Sequence, residues 1–281
     1  MPALGIIAGG GDLPIAVAES AISAGREIFI VALLGSADEQ VTRFPHGWSS
    51  LGEVNKTFGL LRDNNCSEVL LAGKVARPKF SEIKLDARGV LLLPKVVAAA
   101  RKGDDALLRM LVDLFETAGF KTVGVTEAAP GLIVLDGPIG RIEPTSEQQT
   151  DIQTANDVVR RLGELDVGQA AIVCDGLVLA VEAAEGTDAT VARVGALPEN
   201  IRGTPAKRRG VLVKALKPRQ DGKTDLPVIG VQTVRNVAAV GLAGIALQAG
   251  GALIVNRLAV AAAADEAGIF VVGFTPRADA G

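Results

Sequence analysis

Leu4-Gly5-Ile6-Ile7-Ala8 is a short apolar run suited to a buried strand, and three consecutive glycines, Gly9-Gly10-Gly11, follow it directly. Asp12-Leu13-Pro14 then leads into a helical pattern from Ile15 to Ala24 that stops at Gly25. The pattern repeats downstream. Arg26–Leu34 reads as a second strand, Glu53–Asn65 as a helix with Phe58, Leu60 and Leu61 on its apolar side, and Glu68–Ala72 as a third strand. An order β-α-β-α-β predicts a parallel sheet flanked by helices, which leaves few alternatives for the first half of the chain.

Strand, glycine loop and helix in that order suit a phosphate cradle: glycine lets the backbone approach closely, and a helix start offers unpaired N–H groups to an anion. Two other readings use the same residues. The triple glycine can be a tight turn and nothing more. It can also be compared with the dinucleotide fingerprint GxGxxG, but Pro14 occupies the third glycine position, and the second strand ends Val31-Ala32-Leu33-Leu34 without the acidic residue that holds a ribose. Gly73-Lys74-Val75-Ala76-Arg77-Pro78 follows the third strand. Carboxyl ends of strands line the ligand crevice of an open α/β sheet, so Lys74 is expected on the same edge as the glycine loop. The plainer alternative makes Lys74 and Arg77 solvated loop charges.

Leu91–Arg101 and Asp104–Ala118 read as helices, the second capped by Asp104 and ended by Gly119, and Lys121–Thr126 as a short strand. Pro130, Gly131, Gly137, Pro138, Gly140 and Pro144 then crowd a stretch that marks a boundary. A chain of 281 residues suits two domains, which the sequence places at 1–135 and 136–281.

The second domain opens with a helix from Ser146 to Leu165. Ala170–Cys174 and Leu177–Val181 flank Asp175-Gly176, a dipeptide suited to a type I′ hairpin turn because both central residues need positive φ. Val181-Glu182-Ala183-Ala184-Glu185-Gly186-Thr187-Asp188 follows, placing three carboxylates at three-residue spacing beside a buried strand. Buried charges must be paired or bind a metal, so Glu182, Glu185 and Asp188 form a candidate cation site. Thr187 or Asp188 is also placed to cap the short helix over Ala189–Val194. Lys214 interrupts the apolar strand Val211–Leu216 and calls for a carboxylate or phosphate partner. Beyond Lys217 a charged loop contains Gln220, Asp221 and Asp225, the last at the entrance to the apolar run Val228–Val231. Helices over Thr233–Ala239 and Arg257–Ala267 and strands over Ala252–Val255 and Ile269–Gly273 complete the chain. The fold class is therefore α/β with two domains: an N-terminal Rossmann-like parallel sheet and a C-terminal mixed α/β domain.

Composition narrows the chemistry. His46 is the one histidine, there is no tyrosine, and no GxSxG accompanies it, which argues against a serine triad. Cys66 and Cys174 stand apart without a CxxC, so disulfide and zinc frameworks are not expected. A net charge of −3 lacks the basic excess of a general nucleic-acid binder. The N-terminus shows no secretory pattern, and a cytoplasmic protein is expected. Val237–Val255 is long enough to raise a membrane question, but Gln248 and many Gly and Ala residues make it buried protein structure rather than a span. Carboxylates and lysines remain as the reactive groups. Mg²⁺ takes one or two protein carboxylates and keeps waters or phosphate oxygens, lysines offset charge on phosphoryl oxygens, and a metal-bound water can be the nucleophile. Hydrolysis of a diphosphate is the simplest reaction such a set performs.

Ala8-Gly9-Gly10-Gly11-Asp12-Leu13-Pro14, Gly73-Lys74-Val75, Glu182-Ala183-Ala184-Glu185-Gly186-Thr187-Asp188 and Lys217-Pro218-Arg219-Gln220-Asp221 with Asp225-Leu226-Pro227, in this order, resemble the LpxI-type UDP-2,3-diacylglucosamine pyrophosphatases along essentially the whole chain. The resemblance implies hydrolysis of UDP-2,3-diacylglucosamine to UMP and 2,3-diacylglucosamine 1-phosphate (lipid X) in lipid A biosynthesis, with attack on the sugar-side phosphorus. It implies Mg²⁺, with Mn²⁺ as the alternative ion, a UDP-binding N-terminal domain, a lipid-X-binding C-terminal domain, a homodimer, and a cytoplasmic enzyme able to touch the inner membrane peripherally. On that basis Asp225, Glu182, Glu185, Lys214 and Lys217 are the candidate catalytic residues, and Asp225, Asp221 and Glu182 the candidate metal ligands. Gly9, Gly10, Gly11, Asp12, Leu13, Lys74, Thr187, Asp188 and Gln220 are the candidate substrate contacts. Acyl chains need an apolar groove, for which Val237–Val255 is a candidate lining. The competing expectation is a non-catalytic nucleotide-sugar or acyl-lipid binding protein whose acidic motif is only a cap and an ion-pair network.

Overall fold

The computed structural model describes residues 2–75, 84–217 and 226–276. The expectations for Ala76, Arg77, Pro78, Gln220, Asp221 and Asp225 lie outside these residues. The chain divides into two compact units, Met1–Gly131 and Leu132–Gly281.

The first unit runs β1 (Ala3–Ala8), α1 (Leu13–Ser23), β2 (Ile28–Leu33), β3 (His46–Ser49), α2 (Val54–Asp63), β4 (Cys66–Ala72), α3 (Ala87–Ala100), α4 (Asp104–Thr117), β5 (Lys121–Thr122) and α5 (Val125–Ala128). Among the described residues its strands form one sheet in the order β3-β2-β1-β4-β5 with every pairing parallel. β1 and β2 are buried along their whole length, as expected of unbroken apolar runs covered on both faces. Phe58 of α2, Phe115 of α4 and Phe120 anchor the core on one face, with ring centroids 5.5 Å (Phe58–Phe115) and 5.6 Å (Phe58–Phe120) apart.

One strand was not anticipated and two expectations change here. His46-Gly47-Trp48-Ser49 pairs with Ile30–Leu33 as an edge strand, although it carries no apolar run and its strand character comes only from that pairing. The strand expected over Lys121–Thr126 stops at Thr122, and Val125 starts a short helix. Gly103, with φ 117°, holds the cap position of α4, and Asp104 is its first helical residue.

Glu53 sits at the carboxyl edge of this sheet and is 7% exposed. Its carboxylate accepts from Ser50 N at 2.9 Å and pairs with Lys84 at 2.9 Å and Lys56 at 3.4 Å. The Ser50 N–H first, then Lys84, and Lys56 more weakly, pull its pKa from 4.5 to about 2 against the opposing effect of burial. A folded-state value below the unfolded one means that this stabilisation is present above pH 4.5 and disappears as pH falls toward 2. Glu53→Gln is therefore expected to flatten the dependence of the urea-unfolding midpoint on pH across that window, an effect checked by circular dichroism.

The second unit runs β6 (Gly137–Pro138), α6 (Ser146–Glu164), β7 (Ala170–Cys174), β8 (Leu177–Val181), α7 (Thr187–Gly195), β9 (Val211–Lys214), β10 (Val228–Ile229), α8 (Val231–Ala239), β11 (Gly244–Gln248), β12 (Leu253–Ile254), α9 (Arg257–Ala267) and β13 (Phe270–Phe274). Among the described residues, six strands form a mixed sheet in the order β6-β13-β11-β9-β7-β8, and β10 pairs with β12 separately. The central strands β13, β11 and β9 are parallel, whereas β7 is antiparallel to both β9 and β8. Thr145 and Gln148 close a reciprocal capping box at the start of α6. The β7–β8 turn has φ 50° at Asp175 and 78° at Gly176, and both turn N–H groups donate to the Asp151 carboxylate at 2.9 and 2.8 Å.

The stretch 237–255 contains β11, a central strand that periodicity did not separate from its neighbours. Ile245, Ala246 and Leu247 are fully buried, as are Val237 and Leu242. These residues are core, which removes them as the lining of an open acyl groove. Among the described residues no helix is long and apolar enough to cross a membrane.

Candidate functional site

In the N-terminal unit the chain steps from β1 to β2 on one side of the sheet and places β4 on the other. The carboxyl ends of β1 and β4 therefore meet where the strand order reverses, the usual ligand crevice of such a sheet. Two loops interlock there. Gly10 N donates to Lys74 O at 2.8 Å, and Lys74 N returns a bond to Gly10 O at 2.9 Å. A Cβ on Gly9 would lie 2.5 Å from Lys74 O, and one on Gly73, whose φ is 91°, would lie 2.7 Å from Gly10 O. The loops thus need glycine because backbone packs on backbone.

That packing engages the N–H groups of all three glycines. Gly9 N donates to Ala72 O at 2.8 Å, Gly10 N to Lys74 O, and Gly11 N to Asp38 Oδ2 at 2.7 Å. The triplet therefore locks these loops together with its own three N–H groups. Asp12 occupies the cap position of α1 without a side-chain cap bond, Leu13 is the first helical residue, and Pro14 follows. Lys74 is exposed at the same edge, as expected from its place after β4.

In the C-terminal unit, β8 and β9 run the same way because each is antiparallel to β7 between them. Glu182 and Lys214 therefore emerge at one sheet edge, with Ala170 opposite Lys214 and accepting from Glu182 N at 2.8 Å. Glu182 is 6% and Lys214 4% exposed. Lys214 Nζ donates to Thr187 Oγ1 at 2.9 Å, and Thr187 Oγ1 donates to Glu182 Oε1 at 2.8 Å. Glu182 Oε2 accepts from Gln169 N at 3.4 Å, and Lys214 Nζ also reaches Val228 O at 3.3 Å. The hydroxyl links a buried ammonium to a buried carboxylate, which satisfies the rule that buried charge be compensated. Gly168 permits the close approach, since a Cβ there would stand 2.0 Å from Glu182 O.

The three carboxylates of the acidic stretch are divided among three partners and do not surround one cation. Glu185 pairs with Arg193 at 2.9 Å and accepts from Thr190 Oγ1 at 3.3 Å. Its pKa lies below the ordinary carboxylate value, held there first by its own backbone N–H and then, against some desolvation, by the Arg193 charge. Asp188 accepts from Asn236 Nδ2 at 2.9 Å. Gly186, with φ 80°, occupies the cap position of α7, so neither Thr187 nor Asp188 is the cap. Lys217 pairs with Asp166 at 2.7 Å. Among the described residues no three His, Cys, Asp or Glu side chains gather as a metal site. Gln220, Asp221 and Asp225 lie outside them.

Sequence reading missed Asp38, Gln169 and Gln248. Asp38 lies five residues beyond β2, past the position where an acid was sought. Gln169 precedes β7 and contacts Glu182 through its backbone. Gln248 ends β11, and its Oε1 accepts from Leu216 N at 2.9 Å, tying down the segment after Lys214.

The LpxI N-terminal domain matches residues 3–132, and the LpxI C-terminal domain matches residues 135–272. A curated relative from Caulobacter vibrioides (strain ATCC 19089 / CIP 103742 / CB 15), named UDP-2,3-diacylglucosamine pyrophosphatase LpxI, is 49% identical over 277 residues, covering 99% of each chain. With both domains matched in order and nearly half of the aligned residues shared with that relative, the chain belongs to the LpxI family.

Proposed function

We propose that this chain hydrolyses the diphosphate of UDP-2,3-diacylglucosamine to UMP and 2,3-diacylglucosamine 1-phosphate, lipid X, as a step of lipid A biosynthesis. The observation that carries the proposal is the buried Lys214–Thr187–Glu182 chain at a sheet edge, in a protein 49% identical to a pyrophosphatase of that name. A buried lysine held by a hydroxyl and a carboxylate is a pre-oriented positive charge, and charge of that kind stabilises negative charge developing on phosphoryl oxygens. The N-terminal unit takes the UDP portion and the C-terminal unit the lipid X portion.

In the reaction, a water oxygen bonds to the sugar-side phosphorus while the bond from that phosphorus to the bridging oxygen breaks. UMP leaves with the bridging oxygen, and the water loses a proton to a carboxylate. Lys214 Nζ, fixed by Thr187 Oγ1, offsets the charge that shifts onto the phosphoryl oxygens. Glu182 accepts from Thr187 and so keeps that hydroxyl turned with its lone pairs toward the ammonium.

Mg²⁺, or Mn²⁺ in its place, supplies further neutralisation of the diphosphate and acidifies a bound water. The ion is assigned to Asp221 and Asp225 on the family resemblance, with Asp225 as ligand or base. Glu182 would join as a further ligand, since its two oxygens accept one protein hydrogen bond each, from Thr187 Oγ1 and Gln169 N, and keep lone pairs for an ion. A homodimer in the cytoplasm, touching the inner membrane peripherally to collect a diacyl substrate, completes the proposal.

The test is release of UMP and lipid X from UDP-2,3-diacylglucosamine by the purified chain, followed by anion-exchange chromatography with and without EDTA. Equal amounts of the two products, abolished by EDTA and restored by added Mg²⁺, are expected. Tight binding of the substrate with no UMP released would instead establish a non-catalytic nucleotide-sugar or acyl-lipid binding protein.

A further inference from the structure

We infer that Asp38 reads the ribose of the nucleotide, accepting hydrogen bonds from its vicinal hydroxyls at the β1/β2 side of the crevice, an assignment that rests on the UDP-binding reading of the N-terminal unit. After β2 the chain turns sharply, with Ser36 N and Ala37 N both donating to Leu33 O at 3.0 and 2.9 Å. The turn carries the loop back over the carboxyl edge of the sheet. Ser36 O lies 2.7 Å from where a Cβ on Gly10 would stand, and Asp38 Oδ2 accepts from Gly11 N at 2.7 Å. A single carboxylate is thus fixed to the glycine loop at the strand-order reversal.

The chemistry of that position selects its ligand. A carboxylate is an acceptor only, with two oxygens and about four lone-pair sites, so the one bond to Gly11 leaves capacity for further donors. Asp38 is exposed, and among the described residues its carboxylate has no other hydrogen-bond partner, while its backbone carbonyl accepts from Val41 N at 3.2 Å. A vicinal diol offers two O–H donors to such a group, whereas a diphosphate offers none and is repelled by it. In doubly wound sheets an acid from the second strand's end serves the ribose for this same reason. Here it arrives from a loop five residues later. With Asp38 on the β2 side and Lys74 after β4, the sugar faces the first loop and the phosphates face the second. The nucleotide is thereby oriented across the crevice.

Equilibrium binding of UMP and 2′-deoxy-UMP to the full-length protein tests the assignment. A hydrogen bond to a charged acceptor corresponds to about 10- to 100-fold in affinity, so the wild type is expected to bind UMP at least roughly 10-fold more tightly than 2′-deoxy-UMP. In Asp38→Ala the ratio of the two affinities is expected to fall to about one. Equal affinities in the wild type would overturn the assignment whether or not the variant folds. So would a variant that keeps the ratio, either by weakening both nucleotides alike, as loss of a loop pin would do, or by tightening UMP, as removal of a phosphate stand-in would do. If the wild type binds neither nucleotide, the UDP reading itself fails, and the assignment with it.

Discussion

Lys214→Met is expected to abolish hydrolysis and to lower the stability of the protein by about 3–5 kcal/mol, because it leaves the Glu182 carboxylate buried without its compensating charge. Lys214 and Glu182 are 4% and 6% exposed, so water cannot replace the missing partner without local opening. Urea unfolding followed by circular dichroism gives the stability, and UMP release gives the activity. The double variant Lys214→Met/Glu182→Gln removes both charges and is expected to regain most of the lost stability while remaining inactive. That separation of stability from activity would show that the hydroxyl-bridged charges of Lys214 and Glu182 serve the reaction. A single variant as stable as the wild type would mean that Thr187 and Glu182 are balanced by other groups.

Gly73→Ala is the second large effect. Its φ of 91° is disfavoured for any residue with a side chain, and the added Cβ would lie 2.7 Å from Gly10 O and 2.9 Å from Gly9 C. Two of the three atoms met are backbone and the third is the rigid ring of Pro14 at 2.9 Å, so the interlocked loops must separate. The expected cost is more than about 2 kcal/mol, with weaker UMP binding because Lys74 moves with its loop. Gly25→Ala provides the comparison: φ is 78°, but no atom lies within 4 Å of the added Cβ, so only conformational strain of about 1–2 kcal/mol applies. Urea unfolding of the two variants separates strain from collision. Equal losses would mean that the loops do not interlock as described.

The contrast between these sites also explains what could be read from the sequence. Strands β1, β2 and β7 were legible because they are unbroken apolar runs, buried wherever they pair, and β9 because Lys214 alone interrupts its apolar run. The hairpin at Asp175-Gly176 was legible because positive φ at two successive positions restricts the residue types that fit. β3 was not, since His46, Gly47 and Trp48 acquire strand geometry from Ile30–Ala32 and not from their own propensities. β11 was hidden for the opposite reason: its neighbours on both sides are as apolar as it is.

At the candidate site, spacing identified Glu182 and Lys214 as residues needing partners, but not that the hydroxyl of Thr187 links them. Glu185 and Asp188 stood in the same run, yet the start of α7 turns them toward Arg193 and Asn236. The glycine triplet was recognised as a close approach of backbone, while the identity of what approaches, the Gly73-Lys74 loop, depends on contacts distant in sequence. Asp38 was invisible to a search at the strand end because a tight turn, and not strand geometry, delivers it to Gly11.

The central claim is that this protein breaks the diphosphate by adding water at the sugar-side phosphorus. Turnover of UDP-2,3-diacylglucosamine in ¹⁸O-labelled water with Mg²⁺, analysed by mass spectrometry of both products, tests it most directly. The account predicts one labelled oxygen in lipid X and none in UMP. Label in UMP, or no UMP formed at all, would contradict it.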